Sequence, residues 1–191
     1  GPERSAPQRN TLARFAATVT LAAIGVPGGG RALAFTVHRT RSGAMAHWPG
    51  PAVVFRIDPS AASRHMPESK VNAALDGALA AWSQVPGTRL RLARAMAGET
   101  AAAVALRFQI TGWPSGSKQV AIPHCNVDDR TGETTSCTLV LNDAAGLSSE
   151  ELETVLTHQV GHVLGLEHSG DANAIMFGAR EQAVDGKDRK R

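Results

Sequence analysis

The chain has 191 residues, 42% of them hydrophobic, enough for one domain with its own core and too apolar for general disorder. Its formal charge of +3 says little until it is divided along the chain: residues 1–34 hold Arg4, Arg9, Arg14 and Arg31 against Glu3, which is the whole excess. The rest is neutral, which argues against a nucleic-acid-binding groove.

Residues 1–34 read as a leader apart from the fold. Gly1-Pro2 resembles the remnant of tag removal. Arg9 and Arg14 precede the small, apolar run FAATVTLAAIGV (15–26), a helix-breaking PGGG follows, and Ala32-Leu33-Ala34 is an A-x-A cleavage pattern. The run is too short to span a bilayer comfortably. The expectation is an exported protein, secreted or periplasmic and without a stable membrane span, whose mature domain covers 35–191 from Phe35. A pro-segment, or a helix packed on the body, is the other reading.

Residues 35–51 show no sustained period and contain a Pro-Gly-Pro break, so they form an irregular arm. Ala52 to Ile57 is a β-branched run stopped by Asp58-Pro59, a first strand. From Pro67, apolar residues at three- and four-residue steps (Val71, Ala74, Leu75, Ala78, Leu79, Trp82, Val85) predict an amphipathic helix ended by Pro86-Gly87. Leu90–Ala93, Val104–Ile110, Lys118–Pro123 and Thr138–Asn142 are further strand candidates, with Pro123 restricting its strand to a sheet edge. Ser148 with Glu151 makes a capping box, and Leu147 with Leu152 a hydrophobic staple, for a second helix whose buried stripe runs from Leu152 to Leu164. Gly165 ends it.

Cys125 and Cys137, the two cysteines, flank the polar stretch NVDDRTGETTS. In an exported chain they close a disulfide across a hairpin-like excursion; a pair of reduced core thiols is the alternative. Neither sits at metal-ligand spacing.

The chemistry lies in THQVGHVLGLEH (157–168). His158 and His162, four apart on one helix, project from the same face. Gly165 can take the left-handed conformation that turns the chain sharply, which brings His168 to the same ion. Three neutral nitrogens and one position left over describe a catalytic zinc site, whereas a structural site closes the fourth place.

With the glycine and third histidine included, this stretch resembles H-E-x-x-H-x-x-G-x-x-H, the zinc signature of the metzincin metallopeptidases, with Gln159 at the glutamate position. Ala174-Ile175-Met176 is similar to the metzincin methionine turn, and Ser169 after the third histidine is similar to the matrixins, the matrix-metalloprotease-like group. The chain departs from the usual matrixin run at Ala172 and at Phe177-Gly178, and it has no tyrosine.

The resemblance, over roughly residues 50 to 180, implies an α+β fold of the zincin type: a twisted mixed five-stranded sheet, two main helices, and an active-site helix carrying the ligands. It implies a zinc-dependent endopeptidase, acting as a monomer, that hydrolyses protein or peptide substrates with a metal-activated water. His158, His162 and His168 would hold one zinc, and Met176 would pack beneath it. Gln119 to Ile122 matches by order the edge strand that receives substrate as an added antiparallel strand, which makes Val120, Ala121 and Ile122 substrate-binding candidates. An edge merely blunted by Pro123 is the alternative. Val155 and the segment after Met176 would line a pocket beyond the scissile bond. Only His124 lies near the region of a second, structural zinc in vertebrate relatives, so that ion is not expected.

Glutamine at 159 can hydrogen-bond a water but cannot take its proton, which removes the general base. Two histories produce it: deliberate replacement to stop self-digestion, favoured by the Gly-Pro remnant and the otherwise intact motif, or a natural pseudopeptidase that holds zinc and grips peptides without cutting them. Asp128, Asp129, Asp143 and Asp171 are oxygen donors for calcium, but at spacings that match no calcium loop.

Overall fold

The computed structural model describes residues 36–178, apart from 97–98, 100–101 and 115–116. The leader expected over residues 1–34 lies outside the described residues. The β-branched run Ala52–Ile57 forms β1, followed by α1 (Glu68–Ser83), β2 (Arg91–Arg94), β3 (Val104–Gln109), β4 (Ala121–Val127), β5 (Thr134–Asn142) and α2 (Ser149–Val163). The strands make one sheet in the order β2-β1-β3-β5-β4. Neighbours run parallel except β4, which pairs antiparallel with β5. The fold is therefore α+β, with a mixed five-stranded sheet and two helices, as expected from the sequence. No helix among the described residues is long and apolar enough to cross a membrane.

The helical periodicity decides which face is buried. Val71, Ala74, Leu75, Ala78 and Leu79 of α1 and Leu152, Val155, Leu156, Val160 and Val163 of α2 join Val53, Phe55, Leu106, Leu139 and Leu141 of the sheet in one core. A leucine buried as Leu75, Leu106 and Leu156 are contributes roughly 1.5–3 kcal/mol. Trp82 spans the two helices, its indole N–H donating to the Thr157 carbonyl at 2.7 Å. The capping box at the start of α2 is present in both directions: Glu151 N–H donates to Ser148 Oγ at 3.2 Å and Ser148 N–H to Glu151 Oε2 at 2.7 Å.

The fourth strand departs from the sequence expectation. It starts at Ala121 and runs through Pro123 to Val127, and β5 starts at Thr134, so much of the stretch read as an excursion is paired strand. The reason is the parity of the ladder. Asn142 N–H donates to Val120 O and Cys137 N–H to Ala103 O on the β3 side, so even-numbered residues of β4 bond to β5. Odd-numbered ones face away. Pro123 thus lacks a hydrogen that would have pointed off the sheet edge, and the ladder passes it unbroken. Cys125 stands opposite Cys137, and the two form a disulfide.

Candidate metal centre

α2 ends in the geometry that the third histidine requires. Gly165 has φ +88°; its N–H donates to His162 O at 2.9 Å and Leu166 N–H to Gly161 O at 3.0 Å, the paired bonds of a Schellman end. A Cβ at 165 would lie 2.8 Å from Ala46 O, so the position suits glycine by conformation and by space. The chain then doubles back and delivers His168 beside the helical pair.

The rings of His158 and His162 meet edge to face with centroids 4.8 Å apart, and those of His162 and His168 are also 4.8 Å apart. His162 Nε2 lies 3.1 Å from His158 Nε2 and 3.2 Å from His168 Nε2. The other nitrogens of the helical pair are fixed by backbone: His158 Nδ1 donates to Ile175 O and His162 Nδ1 to Leu166 O, both at 2.8 Å. An imidazole whose Nδ1 carries the proton presents a lone pair on Nε2. Nitrogen lone pairs converging this closely repel one another and are reconciled by a shared cation. Among the described residues, this is where three metal-ligating side chains come within 4.8 Å of one another. The donor set fits zinc.

The ligands run from core to solvent: His158 is fully buried, His162 half-buried and His168 exposed. Gln159, also fully buried, follows His158 on the helix. Beneath the rings the chain turns at Ala174 to Phe177, where Phe177 N–H donates to Ala174 O at 3.1 Å and Ser169 N–H to Met176 O at 2.7 Å. Met176 is buried there. Gly178 leaves no room behind His168, since a Cβ on it would lie 3.1 Å from His168 Nδ1. The Phe177-Gly178 departure in sequence thus lies against the third ring.

A family model described as matrixin matches residues 47–188, most of the chain. The chain is a matrixin. No curated protein matches it. A zinc-metallopeptidase type of function and protein substrates go with the family, and this matrixin brings together the three histidines that the motif predicts.

A cleft of about 390 Å³ opens beside His162 and His168. Its walls are Pro123, Cys125 and Val127 of β4 on one side and Val163 and Leu166 on the other. The sequence pointed slightly upstream, to Val120, Ala121 and Ile122. The first two are buried in the core and Ile122 is half-buried. Val155 likewise lies in the core, 3% exposed. By alternation Ala121 shares its face with residues 123, 125 and 127; Ala121 is covered by the core, and the other three reach the cleft. The four aspartates weighed for calcium each accept a backbone N–H. Asp128 accepts from Thr131 N–H at 2.7 Å, Asp129 from Arg41 N–H at 2.9 Å, Asp143 from Arg64 N–H at 3.0 Å, and Asp171 from Asn173 N–H at 2.9 Å.

Proposed function

We propose that this matrixin is a secreted zinc-dependent endopeptidase whose general base is missing in the present chain. The observation that carries the reading is the convergence of His158, His162 and His168 through Nε2, two of them with Nδ1 tied to backbone carbonyls. A zinc ion held there supplies Lewis acidity, acidifying water and polarising a peptide carbonyl. The outward N–H of Cys125 on the β4 edge supplies a donor for an extended peptide lying antiparallel to the strand. A carboxylate at 159 would take a proton from the attacking water and pass it to the leaving amine. The amide of Gln159 offers hydrogen bonds and no base. The disulfide supports an oxidising compartment, in keeping with export.

Gln159 itself favours a second reading, a zinc-containing pseudopeptidase that binds extended peptides without cleaving them. The two separate on one substitution. Gln159→Glu should raise casein hydrolysis by on the order of 10²- to 10⁴-fold, and a chelator should abolish it. Intact casein, with zinc bound by the Gln159→Glu protein, would favour the binder.

A further inference from the structure

The irregular arm before β1 is bonded both to the 163–167 side of the cleft and to the turn between β4 and β5. Thr36 to His38 lie antiparallel to Gly165 to Glu167, with Val37 bridged to Leu166. His38 N–H donates to Gly165 O at 2.7 Å, and Glu167 N–H to Thr36 O at 2.8 Å. The His38 ring adds a bond from Nδ1 to Glu167 Oε1 at 2.6 Å. Gly165 to Glu167 are the last three of the five residues that join the second histidine to the third. The middle one of these three, Leu166, presents the carbonyl that orients His162, and the last precedes His168. Further along, Trp48 Nε1 donates to Val163 O at 2.9 Å, at the end of α2. The arm is anchored in turn on the β4–β5 turn: Thr40 Oγ1 donates to Asp129 O at 2.7 Å, His47 N–H to Gly132 O at 2.9 Å, and Thr134 N–H to His47 O at 2.7 Å.

We infer that residues 36–48 are a positioning clamp for the metal centre, with His38 as its decisive residue. The inference rests on the zinc reading of the three histidines. The clamp acts through geometry. His38 and Glu167 are each about half exposed, so their pair adds little to global stability. What it fixes is the backbone that carries His168 and aims His162. Groups that orient ligands from behind typically account for 10- to 100-fold in metal affinity.

The test uses the full chain with His38→Pro, His38→Ala and His38→Asn. Zinc affinity is read by competition with a chromophoric chelator, and ligand geometry by the visible absorption of the cobalt(II)-loaded protein. His38→Pro, which removes the backbone donor and the ring together, should weaken zinc by roughly 10- to 100-fold, and His38→Ala by about 10-fold. His38→Asn, whose side-chain N–H can still reach Glu167, should recover affinity and the parental cobalt spectrum. A general packing role would move the melting temperature of the metal-free protein without that rescue. Parental zinc affinity and cobalt spectrum in both His38→Ala and His38→Pro would overturn the clamp. If His38→Pro fails to fold, the contrast between His38→Ala and His38→Asn decides alone. A parent chain that takes up no zinc would instead sink the metal reading beneath it, a different result from an indifferent arm.

Discussion

Gly161 and Met176 are in contact with no room for a side chain between them: a Cβ on the glycine would overlap Met176 Sδ and stand 2.8 Å from Trp82 Cζ2. The glycine sits on α2 between Gln159 and His162, so the methionine turn seats directly against the ligand helix. Gly161→Ala should destabilise the protein by about 1–3 kcal/mol, the usual range for overpacking, even though alanine is the better helix former. Urea unfolding of the metal-free protein would show it. A stability equal to or above the parent's would mean that the turn yields freely.

The gradient of burial across the three histidines predicts unequal costs. His158→Ala empties a fully buried site and strands the Ile175 carbonyl, so the metal-free protein should lose on the order of 2 kcal/mol. His168→Ala removes an exposed ring and should cost within about 0.5 kcal/mol. Both should abolish the rise in melting temperature on adding zinc. A zinc-induced rise that survives His168→Ala would place the third ligand elsewhere.

The Cys125–Cys137 bond closes a short loop, with a sequence separation of 12. Replacing both cysteines with alanine should cost about 3 kcal/mol in the chain-entropy treatment. Because Cys125 lines the cleft, the same change should also lower affinity for an extended peptide inhibitor. Denaturant midpoints and inhibitor titration would measure the two effects separately, and an unchanged midpoint would remove the disulfide from the list of fold supports.

Asp58 gives an acid-sensitive contribution. Its carboxylate accepts from Ser60 Oγ at 2.7 Å and Ser60 N–H at 2.9 Å and faces Arg107 Nε at 3.1 Å. The Ser60 hydroxyl and backbone bonds, helped by the Arg107 charge, hold its pKa below the ordinary carboxylate value. Between the folded and unfolded values the unfolded chain binds more protons. The stabilisation is therefore complete above the unfolded pKa of about 4 and is lost as pH falls through the lower folded value. Asp58→Ala, which also removes the cap of Pro59–Ala61, should cost about 1 kcal/mol at pH 7. The gap to the parent should narrow in that acid window. A gap independent of pH would assign the effect to shape alone.

Much of this was written in local pattern. The stripes of α1 and α2, the Ser148–Glu151 box and the glycine at 165 each act within a few residues, so periodicity and turn chemistry expose them. The histidine spacing needed only a helix and one sharp turn. Other features depend on parity or on distant partners. Whether Pro123 breaks β4 depends on which side of the ladder its missing hydrogen faces, and that is set by Cys137 and Asn142. The need for glycine at 161 comes from Met176 and Trp82, neither of which is near it in sequence. The arm shows no period because its bonds go to two separate segments, around Glu167 and around Asp129.

Pro123 also bears on how copies of the protein meet. An open strand edge invites a second copy to pair along it and start a fibril. On β4 Pro123 leaves that edge without a donor in mid-strand, so two such edges laid side by side would miss bonds there. A short peptide guest can slide its register to use the donors that remain, whereas a rigid identical strand cannot. The residue that spares the ladder inside the sheet thus weakens pairing between two such edges outside it.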